Sequence, residues 1–285
     1  MATHNWILTA QCPSRLGTID AVTGLLHQNQ HYITELHSFD DCHSNQFFIR
    51  AQFRVEGPFD EADFRRQFTV KADTFEMQWR LRATEDKPKV VIMVSKFDHC
   101  LNDLLYKYRI GQLSIDIPAI ISNHPDLASL AEWHGIPYYH LPVTPETKAE
   151  QEAEVMKIIK ESNAELVVLA RYMQVLSSNM CQLLEGWAIN IHHSLLPGFK
   201  GAKPYHQAYE KGVKTVGATA HYINDDLDEG PIIAQGIEPV DHTYYPQDLV
   251  AKGRDIERLT LSRAVRYHVE QRVFLNGDRT VIFAD

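Results

Sequence analysis

Cysteine is scarce in this chain of 285 residues: Cys12, Cys42, Cys100 and Cys181 are widely spaced and form no C-x-x-C pair. That argues against a disulfide framework or a thiol-based structural zinc site. Free thiols in a reducing compartment are the simplest account. Long apolar runs are also missing, and none approaches the length of a membrane span. Met1 to Trp6 has no basic cluster followed by an apolar stretch, so no secretory leader and no membrane partner are expected. The expected location is the cytoplasm. Positive charge is in deficit, with 28 Lys and Arg against 37 Asp and Glu and a net charge of −9. No nucleic-acid partner is expected, because an extended surface of that kind needs a basic stripe. A small anionic ligand held by a few local cations stays open. Glycine is absent from Ser95–Cys100, which lies between an apolar strand and a helix. Without a G-x-G-x-x-G there, a dinucleotide cofactor is not expected. Asp98 falls at the predicted helix start, where its carboxylate would take an anion's place. Lys96 leaves one route to a phosphate open.

What is present fits a soluble globular protein: 44% hydrophobic and 23% charged residues. The length suits one large or two smaller domains. The predicted order over the first eighty-odd residues is βαββαβ, a ferredoxin-like unit. Strands are predicted at Trp6–Cys12, Tyr32–Phe39, a third carrying Phe47, Ile49, Ala51, Phe53 and Val55, and a fourth carrying Phe75, Met77, Trp79 and Leu81. Alternation in the third predicts a sheet with one buried face. A helix starts after Ser14 with Ile19, Val22, Leu25 and Leu26 on one face, and another opens at Asp60.

The polar, proline-terminated stretch Ala83–Pro88 is the expected linker, dividing the chain at 1–84 and 85–285. Beyond it strands and helices alternate. The strands are Val90–Val94, Ile115–Ser122 (with Pro118 inside), Ile136–Tyr139 and Leu166–Leu169. Helices are predicted at Asp98–Tyr108, Leu127–His134 and Thr147–Ser162. This predicts an α/β domain with a Rossmann-like, mostly parallel sheet. Pro204 is placed to open a helix, Thr215–Ile223 and Ile232–Val240 read as strands, and a long helix is predicted over about Gln247–Phe274.

The most informative residues are Asn190, Ile191, His192, His193, Ser194, Leu195, Leu196 and Pro197, read with Leu227, Asp228, Glu229, Gly230 and Pro231. Asn190 and His192 sit two apart on a predicted strand and so project from one face, with Ile191 turned away. An amide donor beside a titratable ring suits a carbonyl whose oxygen becomes negative, and a carboxylate nearby could activate water or relay a proton. The bland alternative is a turn-capping Asn and a satisfied loop His. A metal-dependent hydrolase on His192, His193, His221 and Asp228 is a further alternative, although no compact ligand spacing supports it and no metal is expected.

The run Asn190–Pro197, with His221 seven residues before Asp228, resembles the formyltetrahydrofolate-dependent formyltransferase family over roughly Lys89 to Phe283. The resemblance implies that Asn190, His192 and Asp228 surround a formyl group and that His221 supports the substrate. It also implies that the loop carrying Met173, Gln174, Val175 and Leu176 holds the pterin ring of the folate. No tightly bound cofactor is implied; 10-formyltetrahydrofolate would be the substrate. The opening Cys12, Pro13, Ser14, Arg15, Leu16, Gly17, Thr18 and Ile19 resembles the first strand–helix loop of ACT domains, which often bind small amino acids. An effector such as glycine or methionine at Pro13–Ile19 and a homo-oligomer are therefore expected, against a fold-completing module with no ligand. An ACT-like unit before a catalytic domain without a phosphate loop resembles the hydrolytic branch of this family. That implies water as acceptor, with formate and tetrahydrofolate as products. The alternatives are transfer to an amine, or an amino-acid sensor with an inactive enzyme fold.

Overall fold

In a computed structural model, which describes residues 3–198 and 204–284, the chain divides into two compact units. One is Met1–Lys87 together with Glu270–Asp285, the other Pro88–Val269. The expected division at 84/85 gave the last residues to the second domain; here they lie with the first unit.

The first unit begins with β1 (Thr3–Pro13), α1 (Thr18–Gln28), β2 (Tyr32–Asp41), β3 (Gln46–Glu56), α2 (Glu61–Phe75) and β4 (Gln78–Ala83). Its sheet order is β2-β3-β1-β4, with β1 antiparallel to both neighbours, which is the ferredoxin-like arrangement. Asp60 caps α2 by accepting from the Asp63 N–H at 2.9 Å. Phe75, predicted in the fourth strand, is the last residue of α2; Glu76 then turns the chain at φ 56. The helices cover one face through Val22, Leu26, Phe64 and Phe68.

The other face of β3 was expected to be wetted. Instead, Phe47 through Ala51 is buried without a break. The cause is a C-terminal hairpin. The predicted helix to Phe274 ends at Val269, and β12 (Val273–Asn276) and β13 (Arg279–Ile282) follow. Gly277-Asp278 makes the turn between the paired Asn276 and Arg279, with Gly277 at φ 61. Phe274 and Phe283 cluster with Phe48. Arg50 is 1% exposed, donates from Nε to the Glu270 carbonyl at 3.1 Å and pairs with Glu35 at 2.9 Å.

The second unit runs β5 (Val90–Val94), α3 (His99–Arg109), β6 (Ile120–Ser122), α4 (Ala128–Trp133), β7 (Tyr138–His140), α5 (Lys148–Glu161), β8 (Leu166–Leu169), α6 (Ser178–Leu184), β9 (Ala188–His192), α7 (Pro204–Lys211), β10 (Thr215–Tyr222), β11 (Ile232–Pro239) and α8 (Pro246–Val269). The sheet order is β11-β10-β9-β8-β5-β6-β7. The five strands β9 to β7 run parallel, while β10 and β11 close the edge antiparallel. Pro118 restricts the predicted strand 115–122: only Ile120–Ser122 pairs as a strand, with an isolated bridge at Asp116. Central strands β5 and β8 are buried at every residue, as a sheet covered on both faces requires.

Candidate active site

The carboxyl end of β9 is where an open parallel sheet offers a crevice. β9 pairs antiparallel with β10, setting Asn190 opposite His221 and His192 opposite Thr219. Asn190 Nδ2 lies 3.3 Å from His221 Nε2. The other ring nitrogen of His221 donates to the Tyr222 carbonyl at 2.8 Å. In the neutral ring that leaves Nε2 as the acceptor for one amide hydrogen of Asn190, and the second amide hydrogen stays available.

Asp228 reaches these residues from the loop after β10. Its backbone is left-handed, at φ 59, a region Asp tolerates better than most residues. A bulge between Ala220 and His221 shifts the β10–β11 register just before this loop. Gly230 is required by space: a Cβ there would lie 1.7 Å from the Tyr222 carbonyl oxygen. The Asp228 carboxylate contacts His192 Nδ1 at 3.1 Å and His221 Nε2 at 3.7 Å. Burial would raise its carboxyl, but the His192 hydrogen bond and the neighbouring His221 outweigh that and hold it well below the usual carboxylate range. His192 is 5% exposed, and its Nε2 is buried with no partner. A buried, unsatisfied ring nitrogen is costly unless a ligand completes it.

These side chains line a cavity of about 620 Å³, shared with Met173, Gln174, Val175 and Leu176. Every predicted residue of the catalytic and folate sets therefore meets in one place. The loop carrying Met173 is pinned along its length. Ala170 N–H bonds the Met93 carbonyl and Met173 N–H bonds Ser95 Oγ, both at 2.9 Å. Gln151 donates to Tyr172 Oη at 3.0 Å, and Glu152 accepts from Ser177 N–H at 2.8 Å. Met173 and Val175 remain exposed, at 49% and 59%. An apolar lip on a fixed backbone is suited to a flat ring.

Asp98 stands at the helix start, as the N-cap of α3, as expected, but its carboxylate caps no backbone N–H and accepts from Asn102 Nδ2 at 2.8 Å. Lys96 is exposed and lies outside the cavity lining. The segment instead contributes Phe97 and His99 to the wall.

Sequence reasoning missed most of that wall. Glu257, 2% exposed in α8, accepts from Tyr205 Oη at 2.9 Å and pairs with His99 Nε2 at 2.8 Å. Arg171 Nε approaches the same carboxylate at 3.5 Å. Burial would raise the Glu257 carboxyl, but the His99 hydrogen bond and Arg171 charge hold it low. Burial and that carboxylate push the Tyr205 hydroxyl up. Burial, with Arg171 and His192 nearby, takes His193 down to about 4, so it is neutral at pH 7. The signal for Glu257 was available: it falls on the same helical stripe as Leu249, Ile256, Thr260, Leu261 and Ala264, all buried. Asn224 also lines the cavity with a buried, unpartnered Oδ1. Among the described residues, His99, Cys100 and Glu257 form a group whose ligand-type atoms lie within 4.8 Å of one another. The His99–Glu257 hydrogen bond and the strongly raised Cys100 thiol account for it without an ion.

Residues 88–265 match the formyl transferase family model. A formyltetrahydrofolate deformylase from Corynebacterium sp. (strain P-1) is 55% identical over 97% of each chain. The crystal structure of a formyltetrahydrofolate deformylase from Pseudomonas putida KT2440 superposes with a TM-score of 0.93 at 64% identity, over 98% of this chain and 100% of that one. The chain belongs to the formyltetrahydrofolate deformylase family. Glycinamide ribonucleotide transformylase 1 from Symbiobacterium toebii is more distant, at 28% identity and a TM-score of 0.65, over 70% of this chain and 95% of its own. Family membership at this identity covers both units, whereas the transformylase shares about the extent of the second.

The Pro13–Ile19 candidates belong to the first unit, and the residues that line the cavity belong to the second. Pro13 ends β1 and Gly17, at φ 93, precedes α1. Ser14 Oγ bonds Asp40, Arg15 pairs with Glu76, and Leu16 is fully exposed.

Proposed function

We propose that this protein hydrolyses 10-formyltetrahydrofolate to formate and tetrahydrofolate. The observation that carries the reading is the buried His192 Nε2, left without a partner beside Asn190 while Asp228 holds Nδ1. Water attacks the formyl carbon, and Asn190 donates its free amide hydrogen to the formyl oxygen as that oxygen becomes negative. Asp228 fixes the imidazole tautomer and stabilises the charged ring. Such a strongly acidic carboxyl is a weak proton acceptor by itself, so the working base is the His192–Asp228 pair, acting at Nε2. The same nitrogen returns a proton to N10 as the carbon–nitrogen bond breaks. His221 orients Asn190 by accepting from its amide.

The Met173–Leu176 loop holds the pterin, with Asn224 Oδ1 accepting from a ring N–H. No tightly bound cofactor or metal is needed. The first unit takes a small amino acid, glycine or methionine, at Pro13–Ile19, and pairs between copies in a cytoplasmic homo-oligomer. The test is formate release from 10-formyltetrahydrofolate with no added amine. Formate and tetrahydrofolate in equal amounts are expected. A requirement for glycinamide ribonucleotide, with its formylated form as the product, would make the protein a transferase. Calorimetry with glycine and methionine tests the effector: no heat and unchanged kinetics would leave that loop structural.

A further inference from the structure

Around Glu257 the second unit gathers His99, Arg171 and Tyr205 from three further segments of chain, all lining the cavity that holds Asn190, His192 and Asp228. Stability does not require this. A buried carboxylate with charged partners is commonly no better than an apolar filling of the same volume. Arg171 additionally holds a left-handed backbone at φ 65, a conformation costing about 1–2 kcal/mol for a residue of its kind. Gly253, one turn before Glu257, leaves room for Tyr205 to lie against α8; a Cβ there would sit 2.1 Å from its ring. Arg171 stacks over Phe97 at 5.2 Å, and Arg254 covers the same ring at 5.8 Å. The cluster adjoins the chemistry directly. His192 and His193 rings are 5.1 Å apart, and His193 and Tyr205 rings 6.2 Å.

A formyl group leaves its nitrogen for whichever nucleophile reaches the carbon. Proteins named as glycinamide ribonucleotide or phosphoribosylglycinamide formyltransferases share the fold of this unit at 25–30% identity, so the fold itself does not choose the acceptor. The choice has to be made by side chains lining the cavity.

Resting on the deformylation reading, we propose that the Glu257–Arg171–His99–Tyr205 cluster is an acceptor-excluding wall that restricts the formyl acceptor to water. Both Glu257 oxygens are engaged, by Tyr205 on one and by His99 on the other, with the Arg171 charge 3.5 Å away and not hydrogen-bonded through Nε. The carboxylate is therefore not available to attract or deprotonate an amine. Arg171 and Phe97 fill space that an amine's carbon substituents need and water does not. With water, the carbon–N10 bond breaks, N10 takes a proton and formate leaves. With an amine, the same bond breaks, the same tetrahydrofolate forms and the amine nitrogen carries the formyl group. The ratio of formylated amine to formate thus reports acceptor choice alone.

The test uses Arg171→Gly, which suits the positive φ and removes one of the two guanidinium groups over Phe97, and His99→Ala, which takes the hydrogen bond from one Glu257 oxygen. Each full-length variant is checked by thermal melting and by binding of a folate analogue, then given 10-formyltetrahydrofolate with glycinamide as the amine probe. The unsubstituted protein is expected to give formate alone. The variants are expected to raise the formylglycinamide share about tenfold or more, the scale of discrimination a filled pocket provides. If one variant fails to fold, the other decides. Folded, folate-binding variants that still yield only formate would overturn the wall. Failure of the unsubstituted protein to release formate would instead overturn the deformylation reading.

Discussion

Replacing Asp228 by Asn alters charge and proton affinity while almost preserving shape. The carboxylate oxygen lies 3.1 Å from His192 Nδ1, with the two side chains 10% and 5% exposed. A unit charge pair at that distance is worth about 5 kcal/mol at an effective dielectric of about 20. An Asn dipole recovers part of that. The expected loss in turnover is roughly 10²–10⁴-fold, equivalent to about 2.7–5.4 kcal/mol of barrier. If Asn donates to Nδ1, the ring proton moves to Nε2 and the base is lost; if it accepts, the charge is lost. The assay is tetrahydrofolate formation and binding of a folate analogue on one preparation. Affinity should change little, since Asp228 is not among the Met173–Leu176 ring contacts proposed above. Stability gives a second check. The folded carboxyl is depressed, so its contribution is present above the unfolded value of about 3.9 and lost as pH falls through the lower folded value. The stability gap between parent and variant should therefore narrow only in strong acid. An Asp228→Asn protein with near-normal turnover would remove the His192–Asp228 pair from the mechanism.

Asn190→Ala should cost about 10²–10³-fold in turnover, as for one oxyanion donor; single-turnover rates measure it, and an unchanged rate refutes the donor role. His193, held at about 4 when folded, takes up its proton mainly on unfolding, so stability should fall as pH drops from about 6.5 to 4, with a slope of up to about 1.4 kcal/mol per pH unit. Denaturant titrations of His193→Gln across that window should show a flatter profile. Gly230→Ala forces the Asp228 loop off the Tyr222 carbonyl, and should lower turnover far more than melting temperature; equal losses in both would point to general unfolding. Activity should survive exhaustive chelation, while loss on chelation with recovery on zinc would restore a metallohydrolase.

The sequence was legible where local pattern and long-range geometry coincide. Asn190 and His192 are two apart on a strand, and strand alternation places them on one face. The all-apolar runs at Val90–Val94 and Leu166–Leu169 announced buried parallel strands. Features that depend on distant partners were not legible. Burial of Arg50 and Phe48 comes from residues about 220 positions later in the chain, and no periodicity in β3 records that. The hairpin was hidden because α8 spacing continues into Val273 and Phe274, although Gly277-Asp278 was a usable turn signal. Glu257 was missed because a carboxylate on an apolar stripe reads as an imperfection until His99, Arg171 and Tyr205 are seen around it.

The C-terminal hairpin also bears on how the chain matures. Strands β1 to β4 are made well before the cover for Phe48 and the acceptor for Arg50, which follow the whole second unit along the chain. At about 5–20 residues per second, nascent β3 waits roughly ten to forty seconds with that face open, while the whole second unit is synthesised. The ferredoxin-like unit thus starts before the second unit and finishes after it. A chain stopped at Val269 leaves its sheet uncovered, so completion of the first unit requires that the whole second unit has already been synthesised.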